Sequence, residues 1–356
     1  MKRIKNLLIM IILATISISA ASGAEDSQPG GGCEACHPDI VRNYTTSLHY
    51  TDAGRIYVNL HGGCEAFGID VPESCSTNKC HAPTNCNVGC HEGYGVYPEG
   101  HGKMVAMDIC VDCHLKRSGG GYKGLVYMHG ESKKGPHPDI HYEKGLECMD
   151  CHPSSDIHGD GQTYKSQWLA VNATCEDCHK NPGKIVKGMN VTQFSTGINA
   201  HRIHEGKLDC TACHLGWYQS CINCHLDTHK TDGTTTENFH LGVGYNGKIR
   251  PFYRQMTSYG NETYTTFGEF APHTITDKPH DCAFCHENKE VLCEGCEGEI
   301  LGPGSFIPQE TIDHVLGIAP APAKTPAATP AEGTPGFTVC IAITGMLAAA
   351  YLLRRR

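Results

Sequence analysis

The sequence has 356 residues, with 41 Gly, 22 Cys and 23 His, but only 7% of its residues are aromatic. This composition offers too little apolar bulk for a large conventional core, and bound cofactors that fill the interior would explain the shortfall. The net charge of -9, from 29 basic and 38 acidic residues, argues against nucleic acid or anionic lipid headgroups as partners and fits cationic partners or mineral surfaces better.

The N-terminus predicts a secretory signal peptide over residues 1–24. Basic residues precede an apolar run from Leu7 to about Ile18, and small residues follow it. We expect cleavage after Ala21 or Ala24. An uncleaved anchor is the alternative, although the apolar run is short for a membrane span.

Repeated C-x-x-C-H motifs run through the predicted domain, residues 25–318. Two cysteines on one helical turn can form thioethers with the two vinyl groups of one porphyrin, and the adjoining histidine presents its imidazole to the iron as the proximal ligand. Seven motifs predict seven c-type haems, at Cys33, Cys36 and His37; Cys110, Cys113 and His114; Cys148, Cys151 and His152; Cys175, Cys178 and His179; Cys210, Cys213 and His214; Cys221, Cys224 and His225; and Cys282, Cys285 and His286.

Two variants of the motif raise the predicted count to about nine haems. Their residues are Cys75, Cys80 and His81, and Cys86, Cys90 and His91. Cys64 leaves the pairing open, since Cys64 with Cys80 and Cys75 with Cys90 would make two longer loops. The local pairings are favoured because a short loop costs less entropy to close. His81 and His91 are proximal ligands in either case.

Each iron also needs a second axial ligand, and the histidines outside the motifs can supply it. A pair of imidazoles favours a lower reduction potential than histidine with methionine, and the sequence has only nine Met. Pairs of histidines precede the motifs within residues 137–152, 201–214 and 273–286, and we expect them to bind a neighbouring iron. The candidate distal ligands are His49, His101, His129, His141, His158, His201, His204, His273 and His280.

A further cysteine pair, in the sequence Cys293-Glu-Gly-Cys296-Glu297, has Glu where the motif has His. In an oxidising compartment the expected form is a disulfide. A metal site and a haem with an unusual ligand are the alternatives.

The C-terminus contains a Pro/Ala/Thr-rich linker over 319–335 and an apolar segment over 336–356 that ends in three arginines. The segment is just long enough to span a membrane, and its arginines place that end in the cytoplasm and the haem region outside. With the sequence Pro335-Gly336-Phe337, this region resembles the archaeal PGF-CTERM sorting signal. The resemblance implies an archaeal, exported protein of the cell surface whose tail is replaced by a lipid anchor.

The expected fold is mostly irregular coil with short α-helices around a closely packed haem chain. Strand-forming residues on either side of Gly260 and Asn261 add a small β-hairpin near 255–270.

From Cys33 to His286 the chain resembles the multihaem c-type cytochromes of anaerobic archaea. The resemblance implies an extracellular electron-transfer conduit without catalytic residues, which serves redox partner proteins or extracellular electron acceptors. A multihaem enzyme acting on nitrite, hydroxylamine or tetrathionate is one alternative, but it needs an iron with an open position. The other is a subunit of a haem filament, a homopolymer in which His49 or His314 would bind an iron of the next subunit.

Overall fold

The computed structural model describes residues 32–71, 86, 90–91, 104–115, 118–128, 131–228, 230–236 and 239–318. Several predicted features lie outside these residues: the signal peptide (1–24), the linker (319–335), the terminal segment (336–356), Cys75, Cys80, His81, His101 and His129. In the described part of the chain, no helix is both long and apolar enough to cross a membrane.

Most of the helices lie in the first two thirds of the described chain, and all of them are short. A 3-10 turn at Cys33–Ala35 and a π-helical turn at Leu60–Cys64 accompany them. The helices are α1 (Pro38–Tyr44), α2 (Leu48–Thr51), α3 (Ala53–Asn59), α4 (Met107–His114), α5 (Ser118–Tyr122), α6 (Ile140–Glu143), α7 (Cys148–Cys151), α8 (Ser154–His158), α9 (Gln167–Ala170), α10 (Glu176–His179), α11 (Asn199–His204), α12 (Thr211–His214), α13 (Cys282–His286) and α14 (Gln309–Val315).

Within the described residues, the strands form one seven-stranded mixed sheet and two small hairpins. The sheet has the order β10-β9-β8-β5-β6, with β7 also paired to β8 and β11 paired to β7, while β1 pairs with β2 and β3 with β4. The strands are β1 (Leu125–Met128), β2 (Glu131–Lys134), β3 (Ile185–Val186), β4 (Met189–Asn190), β5 (Tyr218–His225), β6 (Lys230–Thr236), β7 (His240–Val243), β8 (Ile249–Tyr259), β9 (Glu262–Glu269), β10 (Glu299–Leu301) and β11 (Ser305–Phe306).

This sheet contradicts the predicted fold class. Strands β8 and β9 form a hairpin in which Tyr259 pairs with Glu262, but β8 also pairs with β5 and β7. The prediction of a mostly irregular chain with a small hairpin near 255–270 is therefore wrong. Although aromatic residues are scarce in the whole chain, Phe252, Tyr253 and Phe267 are concentrated in this hairpin and are all buried.

The main apolar core lies against the sheet and includes one of the cysteine motifs. Ala212 in α12 and Leu215 just after it are 1% and 0% exposed, and both belong to a cluster with Leu241, Tyr253 and Val291. Helix α12, which carries the end of the motif at Cys210, is thereby fixed to the sheet.

The two tryptophans of the sequence attach the helical part of the chain to the sheet region. Trp217 donates from its indole Nε1 to the backbone oxygen of His137 at 2.8 Å, and Trp168 donates to the backbone oxygen of Glu269 at 3.1 Å. Both side chains are buried, as expected for large apolar groups whose single polar atom has found a partner.

Two glycines allow the π-helical turn to approach the sheet closely. The backbone oxygen of Gly62 accepts hydrogen bonds from Gln255 Nε2 at 3.1 Å and from Thr257 Oγ1 at 2.7 Å. A Cβ on Gly63 would lie 2.5 Å from Thr257 Cγ2, and Gly63 has a φ of 153°, which L side chains rarely adopt. The turn ends at Cys64, which is only 3% exposed.

Gly63→Ala is therefore expected to destabilise the protein by about 3 kcal/mol, because strained backbone and overpacking both contribute. Gly68→Ala is the matched control, since Gly68 also has a positive φ but nothing lies within 4 Å of its Cβ position. Backbone strain alone should cost about 1 kcal/mol there. Denaturant unfolding of the two variants measures the difference, and equal costs would contradict the close contact with Thr257.

Candidate haem sites

A recurring backbone hydrogen bond shapes most of the cysteine motifs. The amide of the motif histidine donates to the carbonyl of the first cysteine in the motifs that end at His37, His152, His179 and His214, at 2.8 to 3.1 Å. This bond closes one helical turn, which places the two cysteines and the histidine along one side. The motif at Cys221 differs, because it lies in strand β5, and the side chain of Cys221 is outside the described part.

Six motif histidines each face a histidine that the sequence analysis proposed as a distal ligand. The ring centroids are 6.1 to 6.3 Å apart in every pair. The pairs are His114 with His49, His91 with His158, His179 with His141, His152 with His273, His214 with His201, and His286 with His204.

This spacing fits one metal ion between the two rings. A bond from a metal to an imidazole nitrogen is about 2.0 Å long, so two rings on opposite sides of one ion have centroids about 6 Å apart. Direct stacking of two rings would bring them closer, as in His280 and Phe284, whose centroids are 3.8 Å apart. The paired residues therefore fit the axial ligands of a haem iron.

The hydrogen bonds of these histidines leave Nε2 as the ligand atom. A carbonyl oxygen can only accept, so each Nδ1 next to one must carry the proton and the lone pair must be on Nε2. The Nδ1–oxygen distances are 2.7 to 3.2 Å. These bonds join His49 to Ile157, His158 to Ser154, His179 to Thr192, His201 to Ser195, His204 to Ala200, His214 to Thr276, His273 to Ala271 and His286 to Val315.

Two ligand candidates have a carboxylate in place of the carbonyl. Nδ1 of His141 lies 2.8 Å from Asp139 Oδ1, and Nδ1 of His152 lies 3.0 Å from Asp156 Oδ2. The sequence analysis did not single out these aspartates. The available signal in the sequence was their spacing, since Asp139 lies two residues before His141 and Asp156 lies four residues after His152.

Burial keeps several of the candidate distal rings neutral. Removal from water lowers the pKa of His49, His158 and His273 below the usual value for histidine. A neutral imidazole has the free nitrogen lone pair that an iron ligand requires.

The thiols of successive motifs lie next to one another. The side chain of Cys86 lies next to that of Cys33, that of Cys110 next to Cys148, and that of Cys175 next to Cys210. Charge interactions that affect the thiol pKa values connect Cys90 to Cys110, Cys151 to Cys178 and Cys213 to Cys282. These contacts join seven motifs into one continuous series, in the order Cys33, Cys86, Cys110, Cys148, Cys175, Cys210 and Cys282.

Several of the motif thiols lie in surroundings that disfavour charge. Burial is the largest cause that raises the pKa of Cys151 to about 11 and of Cys285 to about 12. Such surroundings suit the apolar edge of a porphyrin, to which these thiols would attach.

The remaining predicted residues have varied placements. His280 stacks on Phe284, and its buried Nε2 has no hydrogen-bond partner within the described chain. His201 was expected to serve a neighbouring site, but its ring faces His214 of its own repeat, with centroids 6.3 Å apart. His37 precedes α1, and His225 ends β5.

Cys293 and Cys296 form a disulfide, which was the expected form of this pair. The two sulfurs and a ring nitrogen of His240 lie within 4.8 Å of one another, and Nδ1 of His240 lies 2.9 Å from the backbone oxygen of Glu290. Because the sulfurs are bonded to each other, they offer no thiolate ligands to a metal in this form.

Comparisons with known proteins agree with the haem motifs. Residues 140–226 match the cytochrome c3 family, and residues 334–356 match the PGF-CTERM motif. The chain is also similar to the dissimilatory sulfite reductase MccA of Wolinella succinogenes, with 23% identity over 228 residues. That alignment covers 54% of this chain but only 28% of the relative. No solved structure matches the chain.

The PGF-CTERM motif indicates secretion and anchoring at the cell surface through an archaeosortase. The cytochrome c3 match and the relative support haem c binding and a role with redox partners. Together with the repeated attachment motifs, these matches support a multihaem cytochrome with a PGF-CTERM signal.

Proposed function

We propose that this cytochrome is an electron-transfer conduit on the outside of the cell, and that its irons are held between two histidines. The observation that carries the proposal is the set of six histidine pairs with centroids 6.1 to 6.3 Å apart. An iron with both axial positions filled exchanges electrons but has no open position at which a substrate can bind.

The thiol contacts support close passage of electrons between neighbouring haems. The side chains of Cys110 and Cys148 lie next to each other, as do those of Cys175 and Cys210, so haems attached at these cysteines would be neighbours. Electrons would then follow the motifs in chain order, toward a redox partner or an extracellular acceptor.

We propose nine haems, seven at the regular motifs and two at the variants. The motif at Cys86 supports this count, because Cys86 lies next to Cys33 of another motif and His91 faces His158 at 6.1 Å, as in the regular sites. The motif at Cys75 rests on its sequence alone.

Mass spectrometry of the mature protein and of its proteolytic peptides is expected to find nine haems. In the local pairings, Cys64 attaches to no haem, whereas Cys86 attaches to the haem at His91. Cys64→Ser should therefore leave every attachment unchanged, and Cys86→Ser should remove one thioether from the haem at His91. Loss of a thioether in Cys64→Ser would instead favour the pairing of Cys64 with Cys80.

His204→Ala should remove an axial ligand from the haem attached at Cys282 while the haem at Cys210 stays attached, because His204 faces His286 at 6.3 Å. We expect one haem to become high-spin in the electronic and EPR spectra. His61→Ala is the control, since the ring of His61 packs against Tyr57 at 4.5 Å and faces no motif histidine among the described residues. If no haem changes spin state in His204→Ala, the ligand assignment is wrong.

A sulfite-reducing enzyme is the second candidate function, because the relative is named as a dissimilatory sulfite reductase. Such a site needs an iron with an open axial position. The six paired sites do not provide one, so it would have to lie elsewhere in the chain.

Carbon monoxide and sulfite distinguish the two functions. For a conduit, we expect the reduced protein to bind less than one CO per chain and the protein to show no sulfite-dependent oxidation of reduced haem. Binding of one CO per chain together with sulfite turnover would support the enzyme. Absorption spectra under anaerobic conditions give both measurements.

A further inference from the structure

Asp139 and Asp156 are almost fully buried, and each makes a hydrogen bond to a histidine of a different site. Oδ1 of Asp139 accepts from Nδ1 of His141 at 2.8 Å, and its side chain is 3% exposed. Oδ2 of Asp156 accepts from Nδ1 of His152 at 3.0 Å, and its side chain is 1% exposed.

Further hydrogen bonds hold both carboxylates in place. Asp139 also accepts from the backbone amides of His141 at 2.8 Å and Ile275 at 2.7 Å. Asp156 also accepts from the backbone amide of Asn172 at 2.9 Å. These amide donors fix a carboxylate oxygen of each aspartate beside the imidazole ring.

No lysine or arginine neutralises the charge of these carboxylates among the ion pairs of the described chain, where Asp139 and Asp156 pair only with their histidines. The nearby Asp150 differs, because Lys187 lies 3.1 Å from it. The negative charge at Asp139 and Asp156 therefore acts on the imidazole without a competing cation.

A carboxylate draws the Nδ1 proton more strongly than a carbonyl does, and this makes Nε2 a stronger electron donor to its metal. Stronger donation stabilises the oxidised iron and lowers its reduction potential. The eight ligand candidates bonded to backbone carbonyls lack this effect.

We propose that Asp139 and Asp156 lower the reduction potentials of two consecutive haems, those attached at Cys175 and Cys148. The inference rests on the proposed function, since it takes His141 and His152 as iron ligands. The two sites are neighbours, because Cys151 interacts with Cys178. In the series of seven contacting motifs, those at Cys148 and Cys175 are the fourth and the fifth. The haems in the middle of the conduit therefore have the lowest potentials.

Asp156→Asn and Asp139→Asn test the proposal, since asparagine keeps an oxygen acceptor but removes the charge. Spectroelectrochemical titration of the full haem-loaded protein should show one haem moving to higher potential in each variant. In the double variant, two haems should leave the low-potential end of the titration. Asp156→Asn carries the test by itself if Asp139→Asn does not fold.

Asp150→Asn and Asp177→Asn are the matched controls, because each removes a carboxylate from the motif of the same haem without touching a ligand ring. Asp150 accepts from the Glu147 amide and Asp177 from Thr174. If the controls raise the potential as much as Asp156→Asn and Asp139→Asn do, the effect is general charge and the proposal is overturned.

The spin state separates this inference from the proposed function. Low-spin spectra for the haems at Cys148 and Cys175, with unchanged potentials in the aspartate variants, would overturn only the inference. High-spin spectra at these two sites in the unsubstituted protein would overturn the ligand assignment itself.

Discussion

The hydrogen bond from a histidine Nδ1 to a fixed oxygen is the interaction on which the rest of the haem region depends. Without it, an imidazole can turn about two side-chain bonds and present either nitrogen. With it, the ring plane and the free nitrogen are set by the backbone, as for His179 on Thr192 and His286 on Val315. Two rings so oriented can stand on opposite sides of one metal without further adjustment.

The two halves of the described chain are held together by different interactions. In the C-terminal half, the sheet buries Phe252, Tyr253 and Phe267 in the ordinary way. In the N-terminal half, apolar contacts are sparse, and paired rings join segments that are distant in sequence, such as His49 with His114. A metal bound between such rings would act as a cross-link, and cofactor binding would then be coupled to folding.

The sequence allowed the attachment sites to be predicted but not the sheet or the choice of partners. A C-x-x-C-H motif is local, and its chemistry follows from spacing alone. The pairing of His152 with His273 is long-range and depends on how the sheet brings residue 273 back to α7. The sheet was missed because its strands include a cysteine motif, in β5, and a Thr-rich segment, in β6, neither of which has a clear alternating apolar pattern.

On the proposed ligand assignment, the pair formed by His152 and His273 also sets an order of assembly. A secreted chain leaves the cytoplasm from its N-terminus, so a ligand that lies earlier in sequence than its motif is already outside when that motif emerges. His49 and His141 meet this condition for His114 and His179. The partner of His152, His273, lies in a segment that follows most of the other motifs. The site at His152 would therefore be among the last to be completed.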